Sequence, residues 1–145
     1  MSKRRNYLIA LKALVASALP SADVRGFDEA ATRPDRIGSG GAVLGHPGVP
    51  EETDVDLGQL KYYYDHAVPL EIHPSDGSAD PAADIDTALK AIGDAVAADR
   101  TLSGVVEWIE ASSANEEDLS VDGAESIRWA EITITASYSA SHALA

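Results

Sequence analysis

The chain has 145 residues, 45% of them hydrophobic, and its 24 acidic and 11 basic side chains give a formal net charge of −13. This length predicts a single domain, 1–145, whose one core needs neither metal nor disulfide to fold. The sequence contains no cysteine, which excludes disulfides and thiolate metal sites. Its acidity disfavours a surface that grips a phosphate backbone.

The first predicted element is a helix from about Arg4 to Leu19, which Pro20 ends because proline cannot continue the hydrogen-bond ladder. Three bases before an apolar run are also typical of a signal peptide, but Lys12 interrupts that run. No stretch approaches the ~18 apolar residues of a membrane span, so we expect a soluble protein. The helical interpretation gives one apolar stripe, formed by Leu8, Leu11, Val15 and Ala18.

A polar stretch from Ser21 to Gly41 comes next, and Ala42 to Leu44 is a candidate short strand between glycines. The segment from Gly45 to Gly58 contains two prolines and four acids that no base offsets. This composition predicts a solvated loop. The four acids are Glu51, Glu52, Asp54 and Asp56.

The clearest strand runs from Leu60 to His73, where two sets of side chains alternate with period two. One face is expected to be buried, and the other to meet solvent or a partner. Pro69 has no amide hydrogen to donate, which predicts a sheet edge or a bulge, and an open edge would suit an oligomer. The face expected to be buried carries Leu60, Tyr62, Tyr64, His66, Val68, Leu70 and Ile72.

A second helix is predicted to begin after Asp80, which can cap it, with Pro81 in the first turn and an end near Arg100. Asp84 and Asp86 complement the positive end of this helix. Its apolar stripe is Ile85, Ala88, Leu89, Ile92 and Val96.

Three further segments complete the chain: a strand from Val105 to Ala111 that contains Trp108, an acidic loop from Asn115 to Glu125, and a long strand from Ile127 to Ala140. The last strand alternates apolar residues with threonine and serine. Two helices packed on one face of a mainly antiparallel sheet would bury both helical stripes. The predicted fold class is therefore α+β.

The four histidines do not predict a metal site. His66 and His73 have opposite parity in one strand and point to opposite faces, while His46 and His142 form no close ligand pair. Asp54 and Asp56 before Gly58 resemble the start of a calcium loop, but its third acid and closing glutamate are missing. Packing or surface roles explain these residues better.

No catalytic or cofactor-binding residue is predicted either. The glycine-rich segment Gly38 to Gly41 lacks the lysine of a P-loop, and Val43 occupies the third glycine position of the dinucleotide fingerprint. It is better explained as a hinge or a contact loop. Ser39 lacks a nucleophile elbow, and no pair of carboxylates is singled out for acid–base work. We therefore predict a protein that is not an enzyme and that has no cofactor.

The tyrosines at 62, 63 and 64, with Trp108 and Trp129, suggest a stacking platform for bases, but such sites normally lie in a basic groove. At period two, Tyr62 and Tyr64 belong to a core or an interface. Tyr63 faces the other way and is a candidate contact for a neighbouring subunit.

Most of the chain is similar, in order, to the tail-terminator family of long-tailed phages and related gene-transfer particles. The segments that carry this resemblance are fold patterns and not reactive motifs, so no family residue role is transferred. Some similar sequences carry an acyl-transferase label, but this chain supplies no nucleophile or base for it. The segments are LKALVASALPSADV, RPDRIGSGGAVL, GQLKYYYDHAVPLEI, DTALKAIGDAVAADRTLSGVVEWIEA and GAESIRWAEITITASYSA.

The resemblance implies a structural virion protein that forms a ring, expected to be a hexamer, on the last ring of the tail tube. Such a ring ends tube polymerisation and joins the tail to the head-side connector protein. Its expected place is the head–tail junction of the virion tail, after assembly in the host cytoplasm, with DNA only passing through the lumen and no membrane partner.

Two alternatives stay open at this point. One is a head–tail connector or stopper protein of similar shape, and another is a small bacterial binding or adaptor domain with the same α+β layout. An enzyme would need a carboxylate site that the sequence does not reveal.

Overall fold

The computed structural model describes residues 2–112, 115–119 and 127–143. The helices are α1 (Lys3–Ala18) and α2 (Pro81–Ala98). The strands are β1 (Asp23–Gly26), β2 (Ala42–Gly45), β3 (Pro50–Asp56), β4 (Lys61–His73), β5 (Trp108–Ala111), β6 (Asn115–Leu119) and β7 (Ile127–Ala140).

Two long antiparallel strands, β4 and β7, form the centre of one sheet, in register from Tyr62–Ala140 to Ile72–Ala130. Each is flanked on its outer side by two short strands. β3 and β2 pair with successive parts of β4, while β5 and β6 pair with successive parts of β7. β1 extends the sheet by a parallel pairing with β2. The predicted mainly antiparallel α+β fold is confirmed.

Both helices lie on the same face of this sheet, here called the covered face. Their buried side chains join one core cluster with the inward residues of β4 and β7, as the two periodicities predict. Tyr7 anchors α1, because its ring is fully buried and its hydroxyl donates to the Ile134 carbonyl over 3.1 Å. The inward residues are Tyr64, His66, Val68, Leu70 and Ile72 on β4, and Ala130, Ile132, Ile134, Ala136 and Tyr138 on β7.

The helix ends follow ordinary capping chemistry. The Ser2 side chain accepts from the Arg5 amide over 3.2 Å, and the Asp80 side chain accepts from the Ala83 amide over 3.2 Å. These bonds satisfy amides that have no partner inside the helix. The predicted start of α2 at Asp80 and Pro81 is confirmed.

The predicted loop from Gly45 to Gly58 is wrong, because it contains β3. This strand pairs with Lys61 to His66 of β4, and a bulge interrupts the register between Glu52 and Asp54. Its residues from Glu51 to Asp54 are exposed, so the strand lacks the apolar alternation that would have revealed it. Charges and a bulge are typical of an edge strand that avoids further pairing.

Two other boundaries differ from the prediction. Of the predicted acidic loop, residues 115–119 form β6, and the remainder lies outside the described residues. The strand predicted from Val105 begins only at Trp108, because the preceding residues form tight turns in which Leu102 and Ser103 have positive φ. β1 lies inside the polar stretch and was not predicted.

Pro69 does not mark an edge strand, since β4 has neighbours on both sides. The Pro69 carbonyl accepts from the His46 amide over 2.9 Å, in the gap between the end of β2 and the start of β3. In a strand the nitrogen and carbonyl of one residue point to the same side, so the missing N–H faces this gap. Proline is tolerated here because no ladder bond is lost.

The glycine-rich segment is built for close backbone approach. Gly40 and Gly41 have φ values of +112° and +74°. A Cβ atom would lie 2.4 Å from the Ser21 carbonyl oxygen at Gly40, and 2.5 Å from the His73 carbonyl oxygen at Gly41. Only glycine suits such positions, which gives these residues a packing reason in place of a hinge or a phosphate cradle.

Candidate interaction surface

In the part of the chain that the structure describes, no helix lies on the second face of the sheet, here called the open face. Asp65 and Ala67 are exposed near its middle, and the Ser137 hydroxyl donates to the Asp65 carboxylate over 2.9 Å. Polar and small side chains of β4, β5 and β7 therefore lie in reach of a partner. They are Tyr63, Asp65, Ala67 and Pro69 on β4, Trp108 and Glu110 on β5, and Thr133, Thr135, Ser137 and Ser139 on β7.

Trp108 is a large aromatic side chain on this face, and it is 50% exposed. Its indole N–H donates to Glu110 over 3.2 Å, and the Arg100 guanidinium lies over its ring at 5.1 Å. The hydrogen bond from Trp108, with further help from Arg100, lowers the pKa of the Glu110 carboxyl. These contacts hold the exposed ring in one orientation, which is a property of interface anchors.

A groove of about 720 Å³ crosses the open face beside β3, and we call it the acidic groove. Four acidic residues line it, together with Val55, Leu57 and three tyrosines (Tyr63, Tyr64 and Tyr138) and with no lysine or arginine. The carboxylates accept hydrogen bonds from neighbouring amides and hydroxyls of the chain itself. They belong to Asp54, Asp56, Asp65 and Glu107.

Apolar side chains are exposed at both ends of β3. Leu57 is 82% exposed and Leu60 is 51% exposed, both in the turn that joins β3 to β4. Val49, at the entry to β3, is 79% exposed. Single exposed aliphatics are common, but Leu57 also lines the groove together with Tyr63, an aromatic residue of the kind enriched at interfaces.

A cluster of positive charge lies at the start of α1. Lys3, Arg4 and Arg5 are exposed, and none of them forms an ion pair with any residue that the structure describes. The helix macrodipole disfavours cations at this end. We call these three residues the basic N-terminus of α1. They were noticed in the sequence only as a possible signal-peptide feature.

His46 and His73 both approach the Glu71 carboxylate, on the part of the open face next to β2. His46 contacts one carboxylate oxygen, and the Nε2 atom of His73 lies 3.4 Å from the other. Burial is the main reason that the pKa of His73 is lowered. Its ring stacks on Trp129 at 5.7 Å.

This histidine–carboxylate cluster does not make a metal site. The two imidazoles meet different oxygens of the carboxylate, and among the described residues no group of three possible ligands could hold one ion. The expected separation of His66 from His73 also holds, because they lie on opposite faces of β4. The sequence did not predict that His46 and His73 approach the same glutamate, because 27 residues separate them along the chain.

His66 is fully buried on the covered face and has partners for both ring nitrogens. Its Nε2 lies 2.7 Å from the Pro47 carbonyl, which can only accept, so Nε2 carries the proton. Its Nδ1 therefore accepts from the Tyr138 hydroxyl over 3.1 Å. Burial lowers the pKa of His66 and raises the pKa of Tyr138 to about 12. Both groups are neutral and structural.

The exposed Trp108 and the acidic groove are features found at protein contact surfaces. The predicted absence of catalytic, cofactor-binding and metal residues stays a prediction. Among the described helices, none is long and apolar enough to cross a membrane. The sequence placed Tyr63 and Asp65 on the face away from the core, but it could not reveal the groove because β3 had not been predicted.

The chain was also compared with known proteins. A scan against protein-family models gives no match, and a search of curated proteins gives none either. The interpretation of its function therefore rests on its own sequence and geometry.

Proposed function

We propose that this chain is the subunit of a ring that terminates a phage-type tail tube and joins the tail to the head-side connector. The proposal combines the resemblance of the sequence to tail terminators with the open face of the sheet. The open face is the observation that carries it. One side of the sheet is covered by helices, while the other presents a fixed, half-exposed tryptophan among polar side chains.

A subunit that acts alone gains little from such a surface. Half of Trp108 is exposed to water, although an aromatic ring of this size favours burial. Aromatic side chains surrounded by polar groups are enriched at the centre of protein interfaces. A neighbouring copy, the tube or the connector would bury the indole of Trp108. The proposed assembly supplies all three partners.

The charge distribution is compatible with a channel for DNA. The net charge is −13, so a ring of this chain would carry a large excess of negative charge. Acidic walls repel the phosphate backbone, so they let DNA pass without holding it. We propose no DNA-binding surface and no catalytic activity.

The test is the mass of the purified protein, measured by light scattering, alone and mixed with the tail-tube protein of the same particle, from low to high salt. A closed ring, either free or formed at tube ends, is the expected result, together with a halt in tube elongation. A protein that stays monomeric and leaves tube length unchanged at every salt concentration contradicts the proposal.

The same measurement addresses the two alternatives. A ring that binds the head-side connector but ignores tube ends indicates a connector or stopper protein. A monomer that ignores both indicates a small binding or adaptor domain.

A further inference from the structure

The acidic groove and the basic N-terminus of α1 are complementary surfaces. Asp65 and Ser137 of the groove lie on the open face, whereas α1 lies on the covered face. Arg4 and Arg5 are one turn or less from Tyr7, whose buried ring fixes the helix. None of the three bases lines the groove of its own chain.

We propose that the acidic groove of one copy binds the basic N-terminus of α1 of the next copy. This inference rests on the proposed ring and specifies the contact that builds it. The occupant is a second copy because this chain carries a run of three exposed bases without ion pairs in the described structure, opposite a groove lined by four carboxylates.

The contact would relieve an unfavourable arrangement on each side. Positive side chains at the start of α1 oppose the helix macrodipole in the isolated molecule. The four carboxylates repel one another across the groove with no base among its lining residues. Arginine can bind carboxylates through two parallel hydrogen bonds, which fixes orientation as well as charge. Tyr63 and Leu57 add apolar contact for the long side chains of the bases.

The two surfaces are different patches, so the contact is heterologous. Each copy offers its groove to one neighbour and its helix start to the other. Heterologous contacts produce a closed ring when the rotation closes and a filament when it does not. In a closed ring, the same groove-to-helix contact would repeat between all neighbours.

The test uses two charge-reversal variants of the full chain. The helix variant carries Arg4→Glu and Arg5→Glu, and the groove variant carries Asp54→Lys and Asp65→Lys. Asp56 is left intact because its carboxylate accepts from the Gly58 amide and supports the β3–β4 turn. Each variant alone is expected to lose assembly, with at least a tenfold weaker association in light scattering or sedimentation, in the state in which the wild type assembles.

Mixing the variants distinguishes this contact from a general effect of charge. In an equimolar mixture, the two new glutamates at the helix start of one variant can pair with the two new lysines in the groove of the other, and the two unchanged surfaces also fit each other. Assembly is expected to return, and only rings with an even number of subunits can close. A single chain that carries all four substitutions should also assemble.

Two control variants make the same changes in charge elsewhere. Glu51→Lys with Glu52→Lys alters exposed residues of β3 that do not line the groove, and Arg33→Glu with Arg36→Glu alters exposed bases outside α1. Both are expected to assemble like the wild type. Circular dichroism of every variant checks that it is folded.

The outcomes separate this inference from the proposed function. A wild-type ring that acts on tube ends while folded charge-reversal variants assemble normally, or while their mixture stays apart, overturns the inference alone. Charge-sensitive assembly of a protein that ignores tube and connector overturns the proposed function alone. A wild type that never assembles overturns both.

Discussion

The two faces of the sheet differ in how they use polar side chains, and two histidines of β4 show the difference. His66 on the covered face has a hydrogen-bond partner at each ring nitrogen. His73 on the other face is also buried, but its Nε2 lies 3.4 Å from the Glu71 carboxylate and its Nδ1 has no hydrogen-bond partner within the described structure. The buried histidine of the covered face is therefore fully hydrogen-bonded, while that of the second face is only partly so.

The two faces therefore differ in what their side chains contribute. On the covered face, apolar burial and satisfied polar groups stabilise the monomer. On the open face, side chains that cost little to expose remain in reach of another surface. Substitutions that are chemically alike should therefore have different effects on the two faces.

The largest difference is expected along β7, where Ile134 is fully buried and Thr135 points to the open face. Ile134→Ala should lower the free energy of unfolding by about 2–5 kcal/mol, because it removes buried methylene groups and leaves a cavity. Thr135→Ala should change it by less than about 0.5 kcal/mol. Urea unfolding of the two variants measures both values. Equal losses would show that the open face is also part of the core.

The next largest effect is expected from removing one hydroxyl. Tyr138→Phe leaves the Nδ1 atom of His66 buried without its donor, which should cost about 1–3 kcal/mol. Tyr63→Phe is the matched control on the open face, where the hydroxyl has no hydrogen-bond partner in the described structure. Its effect should stay under about 0.5 kcal/mol. Urea unfolding again gives the comparison, and a cost for Tyr138→Phe no larger than that of its control would contradict the role assigned to His66.

A smaller effect concerns pH. Burial lowers the pKa of both His66 and His73 below the ordinary value of 6.5, so the unfolded chain binds more protons than the folded chain near and below that pH. Stability is therefore complete above pH 6.5 and is lost as the pH falls from there through the lower pKa values of the folded state. Glu71 and Arg33 act on His73 in opposite directions, and burial outweighs the attraction of Glu71.

The variant His73→Phe tests the contribution of that ring to the pH dependence. Phenylalanine can keep the stacking on Trp129 and has no nitrogen to protonate. Unfolding by urea at pH 5.5 and pH 7.5, as experimental settings on either side of the ordinary histidine pKa of about 6.5, should show a smaller difference for the variant than for the wild type. An unchanged difference would assign the pH dependence to other groups.

The last prediction concerns Trp108. Because about half of this side chain is buried, Trp108→Ala should lower the free energy of unfolding by about 1–3 kcal/mol. The same change should weaken assembly of the subunits at least tenfold, as light scattering would show, if the indole of Trp108 is an interface anchor. Val49→Ala, at a 79% exposed aliphatic residue that does not line the acidic groove, is the control and should leave assembly unchanged. Normal assembly of the Trp108 variant would remove this residue from the interface.

The sequence predicted the elements that have regular apolar periods. α1, α2, β4 and β7 were found because their buried side chains recur at the spacing of a helix or a strand, and β7 has the predicted bounds. β3 was missed because its side-chain composition is typical of a solvated acidic loop. Its hydrogen bonds to β4 hold it in place as a strand. Local composition does not record such long-range pairing.

The candidate surfaces were predictable only in part. Period two placed Tyr63 on the outer face of β4, but the groove needs β3 beside it and Glu107 across it. Pro69 predicted a sheet edge or a bulge, but it lies in a central strand, at the gap between two successive neighbours of that strand. The sequence shows that Pro69 cannot donate a hydrogen bond, but it does not show which strands lie beside β4.

The pairing of β4 with β7 has a consequence for how the chain folds. The paired residues of the central strands are separated by 58 to 78 positions along the chain. Contacts between such distant segments form slowly because the loop between them must first close. Until β7 arrives, the apolar side of β4 and the buried side of α1 lack their cover, and such intermediates are prone to aggregate. Refolding is therefore expected to be limited by this encounter, and the proposed ring could form only from copies that have completed it.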